Sequence, residues 1–227
     1  MVAHTAPRLV ALSVSAAETT ASITPIARAR RPTSWMLARL QAETGACHAA
    51  IDHAVFAPFE RPTVATYRHF LARVFGFDAP LGTRLLATPG LPADLVVPRI
   101  RSSYIAADLL ALDLTGVEAA MLRNRHDIPA FATADEALGW LYAWERLILR
   151  HDDIRTRLHA RIPGLLECAG KYLALTTWGT RFSWHELGQM LDRAAHNEVG
   201  AGRIVTGAKA GFASLQAWLD ATPWDGF

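Results

Sequence analysis

Beyond Pro32 the apolar residues recur at spacings of three and four, and no run alternates one-in-two over the length of a strand. That period belongs to helices with one buried face. Ser34 stands where a capping residue belongs, and the first helix is expected to run from there to about Phe56. Its apolar side carries Leu37, Leu40, Thr44, Cys47, His48 and Ile51, with Glu43, Asp52 and His53 at the edges or outside. A loop bounded by Pro58 and Pro62 follows, then Thr63 as the cap of a second helix interrupted near Gly76 and Pro80.

The rest of the chain reads the same way. A loop at GLPADLVVPR precedes a helix from about Ile100 to Ala111, and Gly116 opens a short segment. Thr133 and Glu136 have the spacing of a capping box before one long helix ending near Pro163 and Gly164. Ser183 and Glu186 repeat that spacing, which predicts a further helix start, and VTGAKAGFASLQAWLDAT closes the series. The expected class is all-α, a single domain of about seven or eight helices over residues 34–222. Residues 1–33 are rich in Ala, Ser, Thr and Arg and read as an N-terminal extension, compatible in composition with a transit peptide.

Composition narrows the function classes. With 51% apolar and 19% charged residues in 227, the chain has the material for a packed core. A net charge of +2 leaves no electrostatic footprint for nucleic acid. Charges interrupt every apolar stretch well before the ~20 residues a membrane span needs. Seven Trp residues imply bulky packing or a hydrophobic pocket. The two cysteines, Cys47 and Cys168, have no zinc spacing and are expected as free thiols in a cytoplasmic protein, with a disulfide left open.

His48 is the chemically pointed residue. A neutral imidazole on an apolar helix face can ligate a metal or haem iron through one ring nitrogen, or serve simply as a core residue. Its sequence neighbours Gly45, Ala46, Cys47, Ala49 and Ala50 are small, which would let a flat macrocycle approach the helix.

Four segments, in order, resemble the haem oxygenase family, most closely its bacterial branch associated with bacteriophytochromes. They are Leu40-x-x-Glu43-Thr44-x-x-x-His48, Tyr67-x-x-Phe70-Leu71, Arg101-x-x-Tyr104-Ile105-x-x-Asp108-Leu109-x-x-Leu112, and Phe212 to Leu219. The resemblance implies that His48 is the proximal ligand of a b-type haem iron, that Thr44 packs one turn before it and that Asp52 orients its other nitrogen. It also implies an oxidoreductase that opens haem to biliverdin, carbon monoxide and iron, with electrons from an external reductase or ferredoxin. Tyr142 matches the family's distal helix, and Lys171, Tyr172 and Arg181 stand where cations and polar groups would meet the haem propionates.

The distal helix departs from that family. It reads Leu141-Tyr142-Ala143-Trp144-Glu145-Arg146-Leu147-Ile148-Leu149-Arg150-His151, and the three glycine positions carry Arg146, Arg150 and His151. Glycine gives a helix freedom to kink, whereas Arg favours a straight one and brings a permanent charge. Arg146 or Arg150, turned inward, would fill a distal pocket or meet a propionate. His151 is either part of a solvated face with Asp152, Asp153 and Arg155 or a second axial ligand. The altered helix leaves two readings of function: a haem-cleaving enzyme, or a haem-binding carrier, sensor or interaction protein without turnover.

Overall fold

The computed structural model describes residues 34–122 and 124–221, with the side chains at 119–120 and 176–183 set aside. All described secondary structure is helical: α1 Trp35–Phe56, α2 Val64–Leu86, α3 Ala93–Val96, α4 Ser102–Ala111, α5 Gly116–Ala120, α6 Ala134–Ile148, α7 His151–Arg161, α8 Leu165–Ala169, α9 Lys171–Ala194 and α10 Glu198–Ala221. No strand occurs among the described residues. No described helix is long and apolar enough to cross a membrane.

The helix starts follow from local chemistry. The Ser34 hydroxyl accepts from the Leu37 N–H at 3.1 Å and donates to Asp192 at 2.7 Å, which caps α1 and fastens it to α9. Thr63 caps α2 through the Thr66 N–H. Thr133 caps α6 through the Glu136 N–H, but the Glu136 carboxylate returns to Ala132, one residue earlier than a capping box requires.

Three boundaries differ from those expected. The second helix is continuous through Gly76 and Pro80. Pro80 has no N–H for the Gly76 carbonyl, and the Arg125 N–H fills that place at 2.8 Å, so the missing helix bond is replaced from a loop. The expected long helix after Thr133 instead breaks at Leu149–Arg150 into α6 and α7. The arginines do not keep it straight, because the turn carries His151 into the core, where it is fully buried. Finally, α9 runs unbroken through Ser183, so no helix starts there.

Two glycine contacts fix the frame. A Cβ on Gly139 of α6 would strike the backbone of Ile204 and Ala208, and one on Gly207 of α10 would strike the Glu136 carbonyl. These helices therefore touch backbone to backbone, which a larger residue at either position would prevent. Their close approach sets Tyr142 of α6 and Phe212 of α10 against the same face of α1.

Candidate functional site

The buried side of α1 presents Leu40, Thr44, His48, Ile51, Val55 and Phe56 to the core. Gly45, Ala46, Ala49 and Ala50 lie on the opposite, exposed side. Of the small residues that suggested room for a macrocycle, these four face outward, away from the imidazole, and Cys47 is half-buried against the core.

His48 Nε2 is 2.9 Å from the Thr44 hydroxyl and 3.2 Å from the Tyr142 hydroxyl. The Thr44 hydroxyl also lies 2.6 Å from the Leu40 carbonyl. A carbonyl only accepts, so the Thr44 proton goes to Leu40 and its oxygen must accept from His48. This network assigns the proton of His48 to Nε2 and leaves the lone pair on Nδ1. Phe212 packs on the ring at 5.0 Å between centroids, and Tyr142 in turn meets Trp184 at 5.6 Å. Burial lowers the affinity of His48 for a proton, the Arg146 charge lowers it further and Asp52 opposes both. Burial likewise raises the pKa of Tyr142. The imidazole is thus neutral near pH 7 and hydrogen-bonded.

The next two turns of α1 continue the contact to the end of α6 and the turn that follows it. Asp52 Oδ2 stands 3.6 Å from Arg146 and 3.2 Å from Arg150. Arg150 also pairs with Asp153 at 2.8 Å, and its guanidinium sits 4.8 Å over the Phe56 ring. His48, Asp52 and Phe56 fall at i, i+4 and i+8 on α1 and meet Tyr142 and Arg146 of α6 and Arg150 of the turn that follows it. The two helices are zipped along this seam by their own side chains.

The residues the sequence singled out divide accordingly. Thr44, His48, Asp52, Tyr142, Arg146 and Arg150 are brought together at the seam. Lys171 is exposed at the start of α9, where its N–H bonds the Asp108 carboxylate at 3.0 Å. The side chain of Arg181 lies outside the described residues, as do those of Trp178 and Phe182. Asp52 spends its carboxylate on the two arginines. An iron ligand must present a free ring-nitrogen lone pair to the metal, and here Nε2, the nitrogen facing α6, carries its proton toward two hydroxyls with the opposing helix in hydrogen-bond contact. In this arrangement the residues do not fit an iron-ligating histidine, and a macrocycle has no place between His48 and Tyr142.

Sequence reasoning missed a second polar centre. Arg101 makes a two-pronged contact with Glu145 at 2.8 and 3.2 Å, and both side chains are buried. Asp78 accepts from the Arg101 N–H, the Ser102 hydroxyl and the Trp144 indole at 2.9, 2.6 and 3.0 Å. Burial raises the Asp78 pKa against these hydrogen bonds. Asp108 is fully buried and accepts from the N–H groups of Lys171 and Tyr172, capping α9. His151 Nε2 meets the Tyr172 hydroxyl at 3.2 Å, while Nδ1 of the same ring has no hydrogen-bond partner. The solvated face expected around His151 is therefore confined to its neighbours. Arg101, Asp108 and Glu145, which stood out as motif residues, join α2, α4, α6 and α9. Their signal was spacing alone, Asp78 gave none, and Tyr172, expected beside a propionate, is instead fully buried against His151.

Among the described residues no group of three or more His, Cys, Asp or Glu is placed to hold a metal ion. Cys47 and Cys168 are free thiols. No known family pattern and no curated protein matches this chain.

Proposed function

We infer that the chain is a haem oxygenase-like helical protein that works without turning haem over, as a carrier, sensor or interaction protein. The carrying observation is the hydrogen-bonded closure of His48 onto Thr44 and Tyr142. An oxygen-activating haem needs an iron ligand on one side and a small pocket on the other, and the seam provides direct helix contact instead. Arg146 and Arg150 reinforce it by pairing with Asp52 at the positions where the related distal helix carries glycine.

The test is a haemin titration of purified protein and of His48→Ala, followed by turnover with ascorbate or a reductase under oxygen. No biliverdin is expected from either protein. Biliverdin formed by wild type and lost in His48→Ala would overturn the reading. A saturating Soret band that shifts in His48→Ala, without turnover, favours a carrier or sensor. Its absence favours an interaction protein.

One observation favours the second reading, oxidative cleavage of haem to biliverdin, carbon monoxide and iron with an external electron donor. His48 is buried and held neutral, the protonation state in which an imidazole ligates iron. That reading requires the ring to leave both hydroxyls.

A further inference from the structure

The second half of α7 and the chain that follows it enclose a cleft that shares no residue with the seam between α1 and α6. Its volume is about 620 Å³, within the range of small-molecule sites. One wall is α7, which contributes Arg155, His159 and Ala160. The other is α8 with the first turn of α9, which contributes Leu166, Glu167 and Ala174. The backbone fixes this second wall. Gly164 turns the chain between α7 and α8 with φ at +86°, a conformation that residues with a Cβ rarely adopt. A Cβ on Gly170 would strike the Leu166 carbonyl, so α8 lies folded against the start of α9. That start is held in turn by the buried Asp108, which accepts from the N–H groups of Lys171 and Tyr172 at 3.0 and 2.8 Å. The cleft is therefore built into the backbone.

Its polar groups are divided by sign. The Arg155 guanidinium and the His159 ring stand one turn apart on α7, and the Glu167 carboxylate belongs to α8. Among the described residues no ion pair joins them across the gap. Arg155 pairs instead with Asp152 of its own helix at 3.4 Å, with the two side chains 42% and 63% exposed. A pair that open to solvent contributes little and exchanges readily, so it leaves the guanidinium available. Ala160, Leu166 and Ala174 make the surface between the charges apolar.

We propose that this cleft binds a small zwitterion with an apolar body, its anionic end on Arg155 and His159 and its ammonium end on Glu167. Charge complementarity sets both ends, and the apolar surface between them takes a hydrocarbon middle. An ω-amino acid or a short apolar peptide with free termini has that form. No bond is made or broken. The proposal is independent of haem and of His48.

The probe is 8-aminooctanoate, titrated into the full chain and followed by nitrogen–proton correlation spectra. Octanoate and octylamine each lack one end, and 4-aminobutanoate shortens the middle. Circular dichroism first establishes the helical fold of Arg155→Gln, Glu167→Gln and Ala160→Trp. Saturable shifts are expected at the Gly164 and Gly170 amides. Arg155→Gln and Glu167→Gln should each weaken binding by about two- to fivefold, and each one-ended analogue should bind more weakly by about as much. Ala160→Trp fills the cleft without touching its charges and should abolish the saturable shifts. Shortening the middle should weaken binding by at least about tenfold. Tighter binding in Glu167→Gln, or octanoate equal to the probe, would mean a site for anions and overturn the proposal. Octylamine equal to the probe, shifts that survive in Ala160→Trp, or no saturable shift at all would each overturn it as well.

Discussion

The hydroxyl of Tyr142 lies 3.2 Å from Nε2 of His48, so the residue expected as an iron ligand is instead a hydrogen-bond donor joining α6 to α1. The Thr44 hydroxyl completes the arrangement by passing its own proton to Leu40. His48 should therefore titrate and tautomerise as a structural residue. Long-range nitrogen–proton correlation spectra at neutral pH are expected to show its proton on Nε2. A proton on Nδ1 would refute the assignment. Tyr142→Phe removes one of the two bonds and should cost about 1 kcal/mol in denaturant unfolding while keeping that tautomer. Thr44→Val removes the acceptor that fixes it, and the tautomer should become mixed.

The backbone contact between α6 and α10 makes a sharper prediction about glycine. Gly139→Ala forces a methyl group into the Ile204 and Ala208 backbone, and should destabilise the protein by about 1–3 kcal/mol, as overpacking does. Gly45 on α1 has nothing within 4 Å of its would-be Cβ. Gly45→Ala should accordingly stabilise by about 0.5–1 kcal/mol, since glycine costs a helix interior that much against alanine. Thermal unfolding of the two variants side by side checks both signs.

The buried pair of Arg101 and Glu145 should behave as a unit. Arg101→Met leaves a carboxylate buried without its cation, and is expected to cost about 3–5 kcal/mol. Glu145→Gln strands the guanidinium and should cost a comparable amount. The double variant should lose much less than the sum, because neither charge is then orphaned. Additive losses in a double-mutant cycle would show that the pair carries no coupling.

The helical frame was legible in the chain because period and caps are local properties. Ser34, Thr63 and Thr133 each mark a helix start that the structure contains. What the sequence hid is set by distant partners. Pro80 looks like a break until Arg125 supplies a donor for the Gly76 carbonyl. His151 sits among charged neighbours and looks solvated until the turn at Leu149 and Arg150 drops it beside Phe70 and Tyr172. At the candidate site the residue identities were legible while their pairing was not. Asp52 is one turn from His48 along the helix, yet the charges that claim it come from α6 and the turn after it.

His151 should leave a signature in acid. Burial pushes its pKa down to about 3, with the Arg101 charge adding to the effect, whereas an exposed histidine titrates near 6.5. Between those two values the unfolded chain holds a proton that the folded chain refuses. Stability from this residue is thus complete above about pH 6.5 and is lost as the pH falls toward 3. The full loss is on the order of 5 kcal/mol, since each pKa unit is worth about 1.4 kcal/mol. His151→Phe keeps an aromatic ring, somewhat larger than imidazole, and abolishes the proton, so its stability should fall less steeply between pH 6.5 and 4, even though Tyr172 loses its partner. Asp78 and Asp108 have folded pKa values raised by burial, so they favour the folded state as the pH falls and oppose the histidine. Comparing the variant with wild type at each pH cancels their contribution. Chemical denaturation across that range is the measurement, and parallel curves for the two proteins would show that His151 is not the buried neutral base the structure describes.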